Sequence, residues 1–407
     1  MKYGLIGEKL GHSFSKEIHE RLGYDYELCE IASGELEGFM RAKDFDGINV
    51  TMPYKSAVIP YLDYIDEPAE KIGAVNTVIN RDGKLYGYNT DFYGMQALID
   101  HAEIDPYGKK VAILGSGGTS RTARTLLESL GASEIITVGR SSHIGYDDLY
   151  SKHSDTRIIV NTTPVGMFPD LFSSPVDLEK FENLQGVIDA VYNPLSTSLV
   201  CEARAKGIAA EAGLYMLVAQ AIRASELFLN TKYPSYMTDV IYDGIRSEKE
   251  NVVLIGMPSS GKSTVGALLA QRIGYEFVDT DALILDRIRM PIKDFFALHG
   301  EEKFREVESS VIREIAGRSG LVIATGGGAV LRSENIKALR LGGKIIFIDR
   351  PLESLIPTDS RPLSTDREAI KALYDRRYPI YNKLCDIKVN ASGTANEVAD
   401  DILENYL

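Results

Sequence analysis

The stretch Gly256-Met-Pro-Ser-Ser-Gly261-Lys262-Ser263 has the spacing GxxxxGK[ST], directly after the apolar run Asn251–Ile255 and before a helical pattern. Backbone N–H groups of such a loop, backed by a helix N-terminus, cradle phosphates; its lysine reaches the terminal ones and its hydroxyl ligates Mg²⁺. Gly256, Ser259, Ser260, Gly261, Lys262, Ser263 and Thr264 are therefore candidate nucleotide-binding residues. Phe277-Val-Asp279-Thr-Asp281 sets two carboxylates at the end of the next strand, and Gly326-Gly327-Gly328 follows another, where backbone can approach a ligand closely. Arg305, Arg361 and Arg377 are candidates for gathering negative charge, because guanidinium forks suit carboxylates and phosphates.

The first half is dense in other polar constellations. Gly11-His12-Ser13-Phe-Ser15 carries two hydroxyls after the first strand, and Asn49-Val-Thr51-Met-Pro53-Tyr-Lys55 an amide, a hydroxyl and an amine after another. Asn76-Thr77 and Asn89-Thr90-Asp91 add amides and a carboxylate. Many convergent hydrogen-bonding groups suit a small polyhydroxylated ligand. Lys110–Leu114 runs into Gly115-Ser-Gly117-Gly118 and a helix start, a pattern that ordinary tight turns share with dinucleotide sites. The following strand ends in Val138-Gly139-Arg140-Ser141. An arginine there accommodates the 2′-phosphate of NADP, where an acid would favour NAD.

These residues need a frame. Short β-rich runs alternate with helical patterns throughout, the signature of α/β folds with parallel sheets. Strands are expected at Tyr3–Ile6, Tyr26–Glu30, Gly47–Val50, Lys110–Leu114, Glu134–Val138, Arg157–Val160, Gly186–Ala190, Asn251–Ile255 and Leu321–Ala324. The expected organisation is an α/β substrate domain over residues 1–100, completed by about 214–240, around a Rossmann-like dinucleotide domain over 101–213. Residues 230–250 lose the rhythm, end in a charged run and read as a linker, with part of the segment open to packing as a helix. Residues 251–407 restart the alternation as a three-layer P-loop domain.

The 407 residues fit two or three domains. A net charge of −13 argues against nucleic acid and anionic membrane surfaces, and no apolar run is long enough to span a bilayer. The start lacks a signal-peptide pattern, and three scattered cysteines form no framework, so a cytoplasmic address is expected. Six histidines without paired spacing offer no zinc site.

Residues 251–407 resemble shikimate kinase through the P-loop, DTD, GEEKFREVE, GGGAV and RRYPIY. The resemblance implies that Asp279 supports Mg²⁺ with Ser263, and that Asp281 orients or deprotonates the accepting hydroxyl. It implies that Arg305, Gly327 and Arg377 hold shikimate, and that Arg361 is a lid arginine reaching the phosphates of ATP. Leu285 stands where that family usually has Glu, and the lid segment Pro351–Leu363 is short and lacks a second basic residue.

Residues 1–229 resemble shikimate dehydrogenase through NVTMPYK, GAVNT, NTD, the Gly-rich turn, NTTPVGM and YMLVAQA. The resemblance implies that Ser13, Ser15, Thr51, Asn76, Asp91 and Gln220 bind substrate and that Lys55 and Asp91 form the catalytic pair. Tyr192 and Gly213 would lie near substrate and nicotinamide, with Thr162 and Met167 on the cofactor side. The cofactor triplet is Gly139-Arg140-Ser141, where NADP-using members often have Asn-Arg-Thr.

Both resemblances together imply a bifunctional enzyme with small-molecule substrates, reducing 3-dehydroshikimate with NADPH and phosphorylating shikimate with ATP and Mg²⁺. The alternative is a quinate/shikimate dehydrogenase fused to a P-loop module that binds without turnover.

Overall fold

The apolar runs form three sheets. A computed structural model describes residues 2–10, 14–140, 142–357 and 366–407. The chain divides into two compact units, Met1–Asn193 with Thr197–Ile245, and Pro194–Ser196 with Arg246–Leu407.

The first unit carries two sheets. One contains β1 (Tyr3–Gly7), β2 (Glu27–Glu30), β3 (Gly47–Val50), β4 (Tyr64–Ile65), β5 (Thr77–Arg81) and β6 (Lys84–Tyr88), in the order β2-β1-β3-β5-β6-β4. It is mixed, which corrects the all-parallel expectation: β5 pairs antiparallel with both β3 and β6. The β5–β6 pairing comes from the Asp82-Gly83 turn, where both residues have positive φ (52° and 78°) and fold the chain into a tight hairpin.

The second sheet contains β7 (Lys110–Leu114), β8 (Glu134–Val138), β9 (Ile158–Asn161), β10 (Gly186–Asp189) and β11 (Ala209–Glu211), in the order β11-β10-β9-β7-β8. All its pairings are parallel. The chain leaves β7 for β8 on one side and returns to β9 on the other, so the strand order reverses at β7/β9. That reversal opens a crevice at the strand carboxyl ends.

In the second unit, β12 (Asn251–Ile255), β13 (Glu276–Asp279), β14 (Leu321–Ala324), β15 (Gly343–Asp349) and β16 (Ile387–Asn390) form a parallel sheet in the order β13-β14-β12-β15-β16. Strands β9, β10, β12 and β14 are buried along their whole length, as helices on both faces require.

The segment expected as a linker is largely a helix, Met237–Lys249. Ile241, Tyr242 and Ile245 recur on one face and are buried. Tyr242 meets Tyr215 edge-on at 5.2 Å, and Tyr215 stacks on His101 at 3.9 Å. The Tyr215 hydroxyl donates to Asp239 at 2.8 Å. Charge on the outer face hid this amphipathic stripe. No helix among the described residues is long and apolar enough to cross a membrane.

Candidate functional site

Asp91 owes its position to a helix cap. The Asn89 side chain accepts from Phe92 N at 3.1 Å and so starts the helix Thr90–His101, with Asp91 in its first turn. Asn89 also donates to Ala74 O at 2.9 Å, tying the cap to the preceding loop. Lys55 follows β3, and its carbonyl accepts from Val75 N at 2.8 Å. Both backbones are fixed, and the Lys55 ammonium donates to the Asp91 carboxylate at 2.6 Å. Gly94 lets the same helix lie close on Leu214–Leu229: a Cβ there would meet Met216 O at 2.6 Å and Gln220 Cβ at 2.8 Å.

The pair opens into a cavity of about 470 Å³. Ser15, Thr51, Lys55, Asn76, Asp91, Tyr192, Gly213 and Gln220 all line it, so eight expected residues from distant segments share one space. Burial pushes the Tyr192 phenol above its ordinary range, and its ring lies 5.4 Å from that of Phe14.

Beneath the cavity runs a polar network that the sequence did not reveal as one. Tyr26 donates to Asn49 Oδ1 at 2.7 Å, and Asn49 donates to Thr77 Oγ1 at 3.0 Å. Asn76 Oδ1 accepts from Thr90 N at 2.6 Å and lies 3.2 Å from both threonine hydroxyls. Thr90 in turn donates to Gln220 Oε1 at 3.2 Å. The Asn76 oxygen is thus occupied by protein, and only its amide NH₂ remains for a ligand.

At the β7/β9 crevice, Gly115 has φ 106° and presses on the β9 loop; a Cβ there would lie 2.8 Å from Thr162 Oγ1. The positions a Cβ would take at Gly117 and Gly118 have nothing within 4 Å. This bare face at the N-terminus of helix Gly118–Ser129 fits the pyrophosphate of a dinucleotide. Thr162 spends its hydroxyl on Leu114 O at 2.6 Å, which makes it a brace of the crevice wall. Arg140 is exposed beyond β8, and Met167 is exposed in the loop after β9.

In the second unit the loop Gly256–Gly261 joins β12 to the helix Lys262–Ile273. The buried Lys262 ammonium donates to Met257 O at 2.8 Å and Gly256 O at 3.0 Å, which places its charge inside the loop. Ser260 is buried beneath it, and Ser263 and Thr264 are exposed. Ser263 donates to Asp279 Oδ2 at 2.6 Å, and Asp279 Oδ1 accepts from Asp281 N at 2.9 Å. A hydroxyl and a carboxylate oxygen in contact beside a phosphate loop suit a hard, oxygen-seeking cation.

Gly326, Gly327 and Gly328 act by lacking side chains. A Cβ at Gly326 would meet Asp281 Oδ1 at 2.6 Å and Glu308 Oε1 at 3.0 Å. At Gly327 it would meet Pro258 of the phosphate loop at 2.9 Å, and at Gly328 the Arg305 guanidinium at 2.2 Å. The triplet thus gathers acid, arginine and phosphate loop onto one backbone. Arg305 donates to Glu308 at 2.8 Å and Glu301 at 3.1 Å. Burial works against its charge, but those two carboxylates outweigh burial and hold it above its usual value. Burial raises the Glu308 carboxyl and lowers Arg377. Tyr381, pushed up to about 12 by burial, donates to Gly327 O.

Ser13 and Arg361 lie outside the described residues. Glu308 and Lys9 were missed. Glu308 sits three positions after Arg305, a helical spacing that could have revealed it; Lys9 lines the first unit's cavity but reads from sequence as an ordinary loop lysine.

Comparison with known proteins adds the family. Residues 258–406 match the shikimate kinase family model, and residues 5–78 match the shikimate dehydrogenase substrate binding domain. The chain is 36% identical over 270 residues to the shikimate dehydrogenase (NADP(+)) of Clostridium perfringens, covering 60% of this chain and 98% of that one. It resembles the crystal structure of shikimate dehydrogenase 1 from Peptoclostridium difficile, with a TM-score of 0.56 and 37% identity over 60% of this chain and 98% of the other. It also resembles the shikimate 5-dehydrogenase of Thermus thermophilus solved with NADP(H) and shikimate, with a TM-score of 0.54, 29% identity, and coverage of 60% and 99%.

Proposed function

Since the chain belongs to the shikimate dehydrogenase family and carries a shikimate kinase domain after it, we propose that it catalyses two consecutive reactions. The first half reduces 3-dehydroshikimate to shikimate, and the second phosphorylates shikimate at its 3-hydroxyl. The observation that carries the reading is the Lys55–Asp91 contact of 2.6 Å inside a cavity lined by hydroxyls and amides.

NADPH supplies the hydride when bound. Lys55 gives a proton to the carbonyl oxygen as it becomes an alkoxide, and in the reverse direction takes it back. Asp91 holds the ammonium at that oxygen. Ser15, Thr51, Asn76 and Gln220 fix the ring through its hydroxyls and carboxylate. Gly115, Gly117 and Gly118 seat the cofactor pyrophosphate, and Arg140 pairs with its 2′-phosphate.

In the second half, Lys262 neutralises the terminal phosphates of ATP, and Ser263 with Asp279 holds Mg²⁺. Asp281 orients the accepting hydroxyl, while Arg305, Arg377 and the Gly327 backbone hold the shikimate carboxylate. Phosphoryl transfer needs positioning and charge neutralisation above all, which is what this cluster supplies. Cys29, Cys201 and Cys385 form no disulfide among the described residues, which suits a reducing cytoplasm.

The test is to supply 3-dehydroshikimate, NADPH and ATP·Mg²⁺ together and identify the products; shikimate 3-phosphate is expected. A second reading, a P-loop module that binds without turnover, is favoured by Leu285, which replaces an acid and is exposed on the helix that carries Asp281. Accumulation of shikimate with no phosphate ester would select it.

A further inference from the structure

Asp189 ends β10 fully buried, and its carboxylate gathers donors from three segments. Asn161 Nδ2, at the end of β9, donates to Oδ1 at 2.9 Å, and Val191 N donates to the same oxygen at 3.0 Å. Thr197 Oγ1 donates to Oδ2 at 2.7 Å and accepts from Val200 N at 3.3 Å, capping the helix Ser198–Ala205. The charged groups of the elements packed against β10 are Glu202 and Arg204 on that helix and Glu211 on β11. Arg204 and Glu211 pair with each other at 2.7 Å, and Asp189 has no ion-pair partner among the described residues. A buried carboxylate held by hydrogen bonds alone costs stability.

The three bonds hold the seam between the cofactor crevice and the substrate cavity. On the crevice side, Asn161 Oδ1 accepts from Thr163 N at 3.0 Å and from Thr163 Oγ1 at 2.7 Å, which fixes the loop after β9. That loop presses on the Gly115 turn, where a Cβ would lie 2.8 Å from Thr162 Oγ1 and 3.1 Å from Thr163 Cγ2. On the cavity side, Val191 O accepts from Gly213 N at 2.8 Å, and Ala190, Tyr192 and Gly213 line the same cavity as Lys55. An amide in place of the carboxylate has the same shape but accepts on one atom only, so at least one of the three donors loses its acceptor.

We propose that the Asp189 carboxylate is a positioning residue for hydride transfer, setting the cofactor-side loop after β9 against the substrate-side loop after β10. The inference rests on the dehydrogenase reading above and adds the group that places the two ligands relative to one another. Transfer between them depends steeply on that placement. Ser15, Thr51, Asn76 and Gln220 line the cavity from other elements, so loss of the Asp189 charge lowers kcat and leaves KM for shikimate in place. Burial raises the carboxyl from 3.8 to about 6, so mild acid removes the same charge from the parent chain.

The experiment is NADP⁺-dependent oxidation of shikimate by the full chain, with ATP left out, on the parent, Asp189→Asn and Thr163→Val. Thermal unfolding is measured alongside. At pH 7.5, Asp189→Asn is expected to unfold at no lower temperature than the parent, yet to lose roughly tenfold in kcat with KM for shikimate within about threefold. The parent-to-variant ratio of kcat should then fall towards one between pH 7 and 5, because protonated Asp189 matches the amide. Lys55 and the substrate titrate alike in both chains and cancel in that ratio. Thr163→Val cuts the link on the cofactor side and keeps the charge, and its kcat should fall as well. An unchanged kcat in either variant would overturn the assignment, as would a lowered Tm in Asp189→Asn with a kcat ratio that stays constant across pH. Both results leave the dehydrogenase reading intact, whereas a parent chain that cannot oxidise shikimate would overturn that reading too.

Discussion

The ammonium of Lys55 and the carboxylate of Asp91 are joined by a 2.6 Å hydrogen bond, although 36 positions separate them in the chain. Two different devices fix the partners: a main-chain bond from Val75 to Lys55, and the Asn89 cap that starts the Asp91 helix. The pair is pre-arranged by backbone structure and does not depend on a ligand to assemble.

Lys55→Ala is accordingly expected to lower dehydrogenase kcat by roughly 10²–10⁴-fold, the usual contribution of a positioned proton donor. Phosphorylation of shikimate should survive. Lys262→Ala should do the converse, because its ammonium lies inside the second unit's phosphate loop. Paired assays of both activities on each variant check this, and loss of both activities in either folded variant would defeat independent sites.

Gly328→Ala should damage shikimate recognition in the kinase half more than folding. The added methyl would fall 2.2 Å from the Arg305 guanidinium, the movable end of a side chain. Arg305 would shift off its Glu308 contact, and KM for shikimate should rise roughly tenfold, as loss of a charged contact commonly does. Thermal unfolding alongside steady-state kinetics separates the two effects; a collapse of Tm with unchanged KM would contradict the argument.

Arg140→Asp should invert cofactor choice. An exposed guanidinium after β8 pairs with a 2′-phosphate, whereas a carboxylate repels it and accepts from a free ribose hydroxyl. The ratio of kcat/KM for NADP to that for NAD should fall by roughly tenfold or more. An unmoved ratio would remove Arg140 from the cofactor site.

Asp189 gives a pH signature. It is fully buried, and burial raises its carboxyl from 3.8 to about 6 despite donation from Thr197, Val191 and Asn161. The folded state therefore binds this proton more tightly than the unfolded chain. Above about pH 6 the buried charge costs stability in full, and the cost is relieved as pH falls from about 6 towards 4. A two-unit shift corresponds to about 3 kcal/mol. Denaturant unfolding of the parent and of Asp189→Asn between pH 7 and 4 should show the parent gaining stability relative to the variant; parallel profiles would contradict it.

The parallel strands were legible because central strands are nearly continuous apolar runs: Lys110–Leu114, Asn251–Ile255 and Leu321–Ala324 have the expected bounds, and only the first residue of the first two is polar. The β5–β6 hairpin was overlooked because its strands alternate and are partly exposed, and its signal is the dipeptide Asp82-Gly83. Site residues within compact motifs, such as Thr51 with Lys55, could be read locally. The bond from Thr90 to Gln220 spans 130 positions and follows only from packing of two helices. Arg305 was visible as a charge and its pairing with Glu308 follows the i,i+3 helical spacing, but the closeness of both to the glycine triplet needed the third dimension.

The helix Met237–Lys249 bears on how the protein can be dissected. A fragment ending at residue 230, where composition turns polar, would leave the His101–Tyr215 stack without Tyr242 and open an aromatic face to water. A fragment ending after Lys249 keeps that face covered. The stretch that looks most dispensable is the outer wall of the dehydrogenase half, and an excised enzyme must carry it along.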